Sequence, residues 1–204
     1  MEKVIIGAGG FARELQAEYK KHYGQKLKLY VDDVYYKKQD GVYRIKDLNF
    51  KTQAVIIAVG EPESKELILK SLPKNVSFWG YVSPNADIID RDTIKIGWGS
   101  IICSGCILTT NVKIGNHVHL NLNTTIGHDT IIDDFSTTAP NVNISGNVII
   151  GKKVYLGTNA VVKEKIEIDS NITIGLNSGV VNHLKESDIY IGTPAKKLIK
   201  NNNL

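Results

Sequence analysis

Residues 112–132 read VKIGNHVHLNLNTTIGHDTII, and they belong to a six-residue repeat that extends from Ile94 to Val180. From Ile96 onward, every sixth residue is Ile, Leu or Val, and Thr138 is the single exception among fifteen positions. The residues two places before each of these are small or β-branched. Glycine directly follows the aliphatic residue at positions 97, 115, 127, 151, 157 and 175.

A period of six residues fits neither an amphipathic helix nor an alternating strand. It predicts a hexapeptide β-solenoid with one short strand and one turn per repeat. The aliphatic side chain points into the core, and we expect the Gly or Asn after it to supply turn dihedral angles that other residues resist. Three repeats close one triangular coil, so residues 18 apart stack at roughly 4.8 Å. The repeat is not interrupted and predicts about five coils.

Composition restricts the classes of function. Among 204 residues, 25 Lys and Arg stand against 21 Asp and Glu, and the net charge of +4 is too small and dispersed to favour nucleic acid. The absence of an apolar stretch of about 18 residues argues against a membrane span. The N-terminal sequence lacks a signal-peptide core, so we expect a cytoplasmic protein.

The two cysteines, Cys103 and Cys106, have the Cys-x-x-Cys spacing of a redox or zinc motif. Cys106, however, occupies an inward small-residue position of the repeat, and Cys103 occupies a turn position. The spacing therefore follows from the coil, and we interpret both cysteines as packing residues.

Residues 1–80 follow a different pattern, in which short apolar strands alternate with helices. We predict strands at 3–6, 27–31, 54–59 and 76–80, with helices at about 11–22 and 63–72. This alternation predicts a small parallel, Rossmann-like α/β domain over residues 1–80, followed by the solenoid domain with a C-terminal tail over residues 81–204. Residues 201–204 are expected to be frayed.

A glycine-rich turn, Gly7-x-Gly9-x-x-Ala12, joins the first strand to the first helix, where a dinucleotide fingerprint would lie. Asp32 follows near the position of an acidic ribose ligand. The domain is half the size of the usual two-mononucleotide fold, so we do not expect a complete NAD site. Backbone N–H groups at a helix N-terminus still bind phosphate, which predicts a mononucleotide or nucleotide-sugar site. The alternative is a structural cap whose glycines only form a tight turn.

His128 is the candidate catalytic residue of the solenoid. It lies on a turn two residues after a core aliphatic residue, and Asp129 follows it directly. A histidine whose tautomer is set by a carboxylate is a suitable general base. Stacking at 18-residue intervals places Thr110 below His128 and Gly146 above it, which leaves open space over the imidazole. The alternative is an ordinary surface histidine in a turn.

Three histidines, His117, His119 and His128, also raise the possibility of a catalytic zinc site between subunits, as in solenoid carbonic anhydrases. Their positions in the coil are not equivalent, so such a site would need convergence across a subunit boundary. We therefore expect no metal.

Two further features have simple interpretations. Thr138 breaks the aliphatic series, and we expect its hydroxyl to be satisfied by nearby backbone. Lys196, Lys197 and Lys200 form either a solvated basic tail or a contact for a phosphate group.

The order of these motifs resembles that of the bacterial sugar acyltransferases. The motifs are a Gly-Ala-Gly-Gly α/β cap, uninterrupted hexapeptide coils with Ile-Gly-His-Asp, an Asp-Asp-Phe after it, and Gly-Thr-Pro-Ala-Lys near the end. The resemblance is to the nucleotide-amino-sugar N-acetyltransferases and sialic-acid O-acetyltransferases, and it covers essentially the whole chain. It implies a left-handed β-helix that assembles as a homotrimer, with acetyl-CoA bound in the groove between neighbouring helices.

The resemblance also implies roles for individual residues. His128 is the implied base and Asp129 its orienting carboxylate, and Gly146 is an implied backbone contact of acetyl-CoA. The implied neighbours of the pantetheine chain lie further up the groove, at Gly157, Thr158, Gly175 and Leu176. The implied nucleotide-sugar site comprises Gly9, Gly10, Phe11, Asp32, Asp33, Gly60 and Lys65.

The chain departs from its relatives at two of these positions. Many relatives carry His in place of Phe11, near the diphosphate. Relatives often carry a second His in place of Thr137, where it approaches the acyl thioester or the sugar. These differences leave His128 as the sole candidate base and leave open the acceptor position and the acyl donor.

The resulting hypothesis is direct transfer of an acetyl group from acetyl-CoA to the amine of a nucleotide-linked 4-amino-4,6-dideoxy sugar. The nearest alternative is O-acetylation of a sugar hydroxyl on the same fold, as in the sialic-acid type. A metal-dependent carbonic anhydrase and a non-catalytic trimer that binds sugar nucleotides are the alternatives from other classes.

Overall fold

The computed structural model describes residues 1–38 and 40–199, so the predicted fraying of residues 201–204 and the side chain of Lys200 lie outside the described residues. The first part of the chain forms a five-stranded parallel sheet with the order β3-β2-β1-β4-β5. Its elements are β1 (Glu2–Ile6), α1 (Gly10–Tyr23), β2 (Leu29–Val31), β3 (Val42–Arg44), β4 (Gln53–Ile57), α2 (Pro62–Ser71) and β5 (Ser77–Phe78), with 3₁₀ turns at Asp33–Tyr35 and Ile45–Asp47. We call these elements the α/β unit.

The α/β unit agrees with its sequence pattern. Helix α1 buries Leu15 and Tyr19 on one side, as the spacing of apolar residues predicts. It ends at Gly24, whose φ of 71° allows the left-handed cap. Strand β3 was not predicted, because its three residues contain only one fully buried side chain, Val42, and therefore carry little apolar signal.

The rest of the chain is a parallel β-solenoid made of two-residue strands. In chain order these are β6 (Tyr81–Val82), β7 (Asp87–Ile88), β8 (Lys95–Ile96), β9 (Ile101–Ile102), β10 (Ile107–Leu108), β11 (Lys113–Ile114), β12 (His119–Leu120), β13 (Thr125–Ile126), β14 (Ile131–Ile132), β15 (Thr137–Thr138), β16 (Asn143–Ile144), β17 (Ile149–Ile150), β18 (Tyr155–Leu156), β19 (Val161–Val162), β20 (Glu167–Ile168), β21 (Thr173–Ile174), β22 (Gly179–Val180), β23 (Ile189–Ile191) and β24 (Lys196–Lys197). From β8 to β22 each strand pairs with a strand 18 residues away, in the predicted register. The first two solenoid strands, β6 and β7, pair with strands 20 residues away.

The solenoid strands form three sheets around one core. Sheet A contains β6, β9, β12, β15, β18, β21, β23 and β24; sheet B contains β7, β10, β13, β16, β19 and β22; and sheet C contains β8, β11, β14, β17 and β20. The second residue of each strand points inward, so aliphatic side chains such as Leu108, Ile126 and Leu156 are fully buried. The predicted fold class, an α/β unit followed by a hexapeptide β-helix, is thereby confirmed.

The role that we expected of the repeat glycines is wrong. Left-handed dihedral angles occur three residues after each aliphatic, at Asp129 (φ 59°) and Asn159 (φ 59°) for example, and not at the residue directly after it. The glycine directly after the aliphatic serves close approach between coils. A Cβ on Gly127 would lie 2.6 Å from the backbone nitrogen of Gly146, one coil above. Asparagine is frequent at the left-handed positions because its short polar side chain tolerates them.

Thr138 is satisfied as predicted. Its hydroxyl accepts a hydrogen bond from the backbone N–H of Asn121 at 3.1 Å and lies 2.9 Å from the hydroxyl of Thr124. The side chain is buried, with 1% of its surface exposed. The break in the aliphatic series is therefore a polar pair inside the core with both members hydrogen-bonded.

The α/β unit packs against the outer face of sheet A. Three side chains that point outward from this sheet, Ile101, His119 and Thr137, are no more than 3% exposed. The ring of Phe11 stacks on His119 with 3.6 Å between centroids. This packing buries part of the outer face of sheet A.

Candidate active site

The turns between sheets B and C, which we call the B–C corner, carry the His128 and Asp129 pair. The imidazole Nδ1 lies 2.7 Å from Asp129 Oδ2, and both side chains are about half exposed. Asp129 adopts φ 59°, so its carboxylate turns back toward the preceding residue. A carboxylate that accepts from Nδ1–H leaves Nε2 with the lone pair, which is the arrangement a general base needs.

Gly146 lies directly above the imidazole. A Cβ at this position would lie 2.5 Å from His128 Nε2 and 2.6 Å from Cε1. The absence of a side chain therefore leaves Nε2 accessible, as the stacking argument predicts.

Asn111 is a member of this site that we did not identify from the sequence. Its amide Nδ2 donates to Asp129 Oδ1 at 2.6 Å, from one coil below. Both this contact and the histidine contact stabilise the ionised carboxylate, so they lower the pKa of Asp129, with the Asn111 contribution the larger. The 18-residue spacing between Asn111 and Asp129 was the signal that would have revealed it.

The residues that the family resemblance implies for acetyl-CoA occupy two places. Gly157, Thr158, Gly175 and Leu176 lie in the turns between sheets A and B, which we call the A–B corner. A single chain therefore does not bring them into the same groove as His128 and Gly146. Thr158 and Leu176 are exposed, and Leu176 presents 70% of its surface.

Thr137 is also implied for acetyl-CoA, but it lies under the α/β unit with 3% of its surface exposed. Its hydroxyl accepts a hydrogen bond from Lys65 Nζ at 2.7 Å. The same ammonium group donates to the backbone carbonyls of His117 (3.0 Å) and Ser136 (3.2 Å).

Lys65 is thus directed toward the solenoid and is 1% exposed. Burial without a contacting carboxylate lowers the pKa of Lys65 to about 7. The three acceptors match the three donors of an ammonium group. Lys65 therefore joins α2 to strand β15 and to the turns before β12 and β15.

The predicted nucleotide-sugar residues Gly9, Gly10, Phe11, Asp32 and Gly60 line one cleft of about 680 Å³ in the α/β unit. The cleft lies at the carboxyl ends of the parallel strands, where ligands of open α/β sheets bind. It also contains side chains that sequence reasoning missed because they lie outside the glycine motif: Arg13, Lys37 and Ser64.

Asp33 does not point into this cleft but pairs with two cations of the surface. Its carboxylate lies 2.6 Å from Lys46 Nζ and 3.6 Å from Arg44 Nε. Asp32 instead caps the following turn, accepting from the backbone N–H of Val34 at 3.2 Å.

A second cleft of about 540 Å³ begins at Gly60 and runs between α2 and sheet A. Its solenoid wall carries hydroxyl, amide and ammonium groups, which belong to Tyr155, Thr173, Asn171 and Lys153. Gly60 lines both clefts, so the two clefts adjoin at this residue.

The two cysteines are free and buried, as the packing interpretation predicts. Burial raises the pKa of Cys106 to about 12 and also raises that of Cys103. Neither thiol is therefore a thiolate at neutral pH.

The three solenoid histidines do not converge in one chain. His117 and His119 are buried with 2% exposure each, whereas His128 is exposed at the B–C corner. Within residues 1–38 and 40–199 no group of three or more His, Cys, Asp or Glu side chains has the arrangement of a metal site. Over the same residues, neither α-helix has the length and apolar character needed to cross a lipid bilayer.

Comparisons with known proteins cover both parts of the chain. Residues 3–72 match the family model described as the PglD N-terminal domain. The GDP-perosamine N-acetyltransferase of Escherichia coli O157:H7 is 29% identical over 174 residues, which cover 79% of this chain and 78% of that protein. WeeI from Acinetobacter baumannii AYE has a structure that superposes with a TM-score of 0.86 at 27% identity, covering 97% of this chain and 100% of that one.

A third similarity concerns the fold alone. A variant of the perosamine N-acetyltransferase from Caulobacter crescentus, solved in complex with CoA and GDP-perosamine, superposes with a TM-score of 0.87 at 20% identity over 98% of each chain. The agreement over the full length confirms that the α/β unit and the solenoid are combined as in that protein. With its repeat and its α/β unit, the chain is similar along most of its length to a GDP-perosamine N-acetyltransferase and shares the fold of a perosamine N-acetyltransferase.

Proposed function

We propose that this protein is an enzyme that transfers an acetyl group from acetyl-CoA to the amine of a nucleotide-linked 4-amino-4,6-dideoxy sugar, and that it acts in the cytoplasm. In this proposal residues 1–80 bind the nucleotide sugar and residues 81–204 carry out the transfer. The observation that carries the proposal is the His128–Asp129 contact of 2.7 Å beneath the open position at Gly146.

The proposed chemistry is direct attack without an acyl-enzyme. The acceptor nitrogen forms a bond to the thioester carbonyl carbon while His128 Nε2 removes a proton from that nitrogen. A backbone N–H stabilises the negative charge that develops on the carbonyl oxygen. The carbon–sulfur bond then breaks, and the CoA sulfur leaves and takes up the proton from the imidazolium. Asp129 holds the imidazole and stabilises its positive charge during the reaction.

The cleft of the α/β unit supports a nucleotide-bearing acceptor. Gly9 and Gly10 expose backbone N–H groups at the start of α1, which suit a diphosphate. Arg13 and Lys37 add positive charge to the same cleft. In our proposal Asp32 binds the ribose, and the sugar passes Gly60 into the second cleft, whose hydroxyl and amide groups suit a hexose.

The separation of the two corners supports a homotrimer. His128 and Gly146 lie at the B–C corner, whereas Thr158 and Leu176 lie at the A–B corner of the same chain. A groove that contains both sets therefore needs the B–C corner of one copy and the A–B corner of its neighbour. Acetyl-CoA would lie in this groove, with its thioester at Gly146 and its pantetheine along Gly157, Thr158, Gly175 and Leu176 of the neighbouring copy.

The proposal is tested by measuring thiol release from acetyl-CoA with a panel of UDP-, dTDP- and GDP-linked 4-amino sugars. We expect release with one member of the panel. The His128→Ala variant should lose roughly 10²–10⁴-fold in kcat, since positioned proton transfer contributes about that much. His183→Ala is a matched control on an exposed histidine outside the proposed site and should keep full activity.

Near-normal turnover by His128→Ala would refute the proposed base. Release with unmodified hydroxyl sugars and none with amino sugars would instead favour the O-acetylation alternative, with the same fold and the same histidine.

A further inference from the structure

Asp129 is unusual among the turns of the solenoid. Twelve non-glycine residues in the described part of the chain have positive φ, at a strict spacing of six, and Asp129 is the only acid among them. Most of the others are asparagine. Among these described turn positions, an acidic side chain therefore occurs once, next to the histidine that the proposed function uses.

Both carboxylate oxygens of Asp129 have a partner. Oδ2 contacts His128 Nδ1 at 2.7 Å, and Oδ1 accepts from Asn111 Nδ2 at 2.6 Å. The carboxylate thus lies between an imidazole on its own coil and an amide on the coil below. Hydrogen bonds to ionised groups are shorter and stronger than those between neutral groups. Both contacts of Asp129 are as short as such charge-assisted hydrogen bonds.

The backbone at Asn111 and at Asp129 is fixed by hydrogen bonds to the coil below. The backbone N–H of Asn111 donates to Thr93 Oγ1 at 2.7 Å, and its φ of 50° sets the direction of the side chain. The backbone N–H of Asp129 donates to the carbonyl of Thr110 at 3.1 Å. The donor amide and the acceptor carboxylate are therefore both attached to fixed backbone.

A fixed amide matters because the carboxylate is exposed. Asp129 has 44% of its side-chain surface in solvent, so the protein interior does not determine its rotamer. A carboxylate that rotates away from Nδ1 would release the imidazole to the other tautomer, with the proton on Nε2. The amide of Asn111 opposes that rotation.

We propose that Asn111 is a positioning residue that holds the carboxylate of Asp129 against His128 Nδ1, so that Nε2 keeps its lone pair for the acceptor. The inference deepens the proposed function and rests on it for the catalytic consequence. The effect on the tautomer of His128 can be measured without any enzymatic activity.

The test compares Asn111→Gly with wild type, because glycine accepts the left-handed φ and removes the side chain that carries the amide. In imidazole ¹⁵N NMR, we expect a lower fraction of the Nδ1–H tautomer of His128 in the variant. We expect kcat to fall about tenfold, the effect of losing one exposed hydrogen bond to a charged group, with KM for acetyl-CoA within about twofold of wild type.

Two further variants separate positioning from stability. Asn123→Gly makes the same change in a left-handed turn of the A–B corner and should leave the His128 tautomer unchanged. In an Asp129→Asn background, Asn111→Gly should cause little further loss, because the two residues act through one contact.

An unchanged tautomer in Asn111→Gly would overturn the proposal, and so would a tenfold loss that persists in the Asp129→Asn background. If wild-type protein transfers no acetyl group to any acceptor, the proposed function fails, whereas the tautomer comparison still decides the role of Asn111.

Discussion

At the scale of single residues, the site depends on short contacts between successive coils. His128 lies between Gly146 above it and Thr110 below it, while Asp129 is held from below by Asn111. Each partner is 18 residues away in sequence. The proposed catalytic residues thus meet their partners only because three repeats of six residues bring the chain back over itself.

The open position over the imidazole leads to a prediction for Gly146→Ala. The new methyl group would meet His128 Nε2 at 2.5 Å, so the ring must turn away or remain shielded. We expect a loss of about 10²-fold in kcat, because small displacements of a reacting group are that costly. The free energy of unfolding should change by only about 1 kcal/mol, since the contact is with the movable end of a side chain.

Thiol release and urea denaturation measure the two effects separately. Ser145→Ala, an exposed change at the preceding residue, is the control and should leave both quantities unchanged. Full activity in Gly146→Ala would show that the acceptor does not approach Nε2 from this side.

At the scale of the repeat, left-handed turns and close approach between coils depend on different residues, although the sequence pattern alone does not separate them. Left-handed dihedral angles occur three residues after the aliphatic, whereas close approach between coils occurs directly after it. The two kinds of position therefore respond differently to substitution. Asparagine or glycine suits the first, and only the lack of a Cβ suits the second where the next coil is close.

Gly151→Ala tests the second requirement. Its Cβ would lie 2.7 Å from the backbone nitrogen and the hydroxyl oxygen of Ser170, so the coils must separate locally. We expect a loss of about 1–3 kcal/mol in the free energy of unfolding, the usual effect of overpacking. Urea denaturation measures it.

Lys163→Ala is the matched control, since Lys163 also follows an inward aliphatic residue but is exposed. Its effect should remain within about 0.5 kcal/mol. Equal stability of the two variants would mean that the coils at Gly151 are free to shift.

At the scale of the whole molecule, the α/β unit and the solenoid share a buried polar junction. Lys65 crosses it and donates to the backbone carbonyl of His117 and to the hydroxyl of Thr137 in β15, and Phe11 stacks on His119 beside it. Burial lowers the pKa of His117 to about 4 and that of His119 well below its usual value, so both rings are neutral at physiological pH. Of Lys65, His117 and His119, only Lys65 therefore carries a positive charge when it is protonated.

This junction predicts a pH-dependent stability. Burial lowers the pKa of Lys65 from its ordinary value of 10.5 to about 7, so the unfolded chain binds more protons than the folded protein between these values. The folded protein should gain stability relative to Lys65→Met as pH rises above about 7, by at most about 1.4 kcal/mol per pH unit. Urea denaturation of both proteins at pH 6, 7, 8 and 9 measures the difference.

Lys70→Met, a change of an exposed lysine on the same helix, is the control, and its difference from wild type should be constant over this range. A constant difference for Lys65→Met as well would mean that the ammonium group stays charged in the folded protein.

The repeat of six was sufficient to predict the solenoid, its register and the stacking of His128 beneath Gly146. Such predictions succeed because the coil geometry follows from a short sequence period. The same period that places aliphatic side chains inward also places residues 18 apart in contact. The glycine-rich turn and Asp32 likewise indicated the cleft of the α/β unit, since a strand, a turn and a helix are adjacent in sequence.

The remaining features depend on contacts that have no sequence period. The burial of His119 and Thr137, the direction of Lys65 and the second cleft at Gly60 all result from packing of the α/β unit on sheet A. The placement of His128 and Leu176 at different corners follows from how the coil closes in three dimensions. Periodicity specifies which residues face inward along one chain, but the outer partner of each face is decided by the shape and polarity of the surfaces that meet after folding.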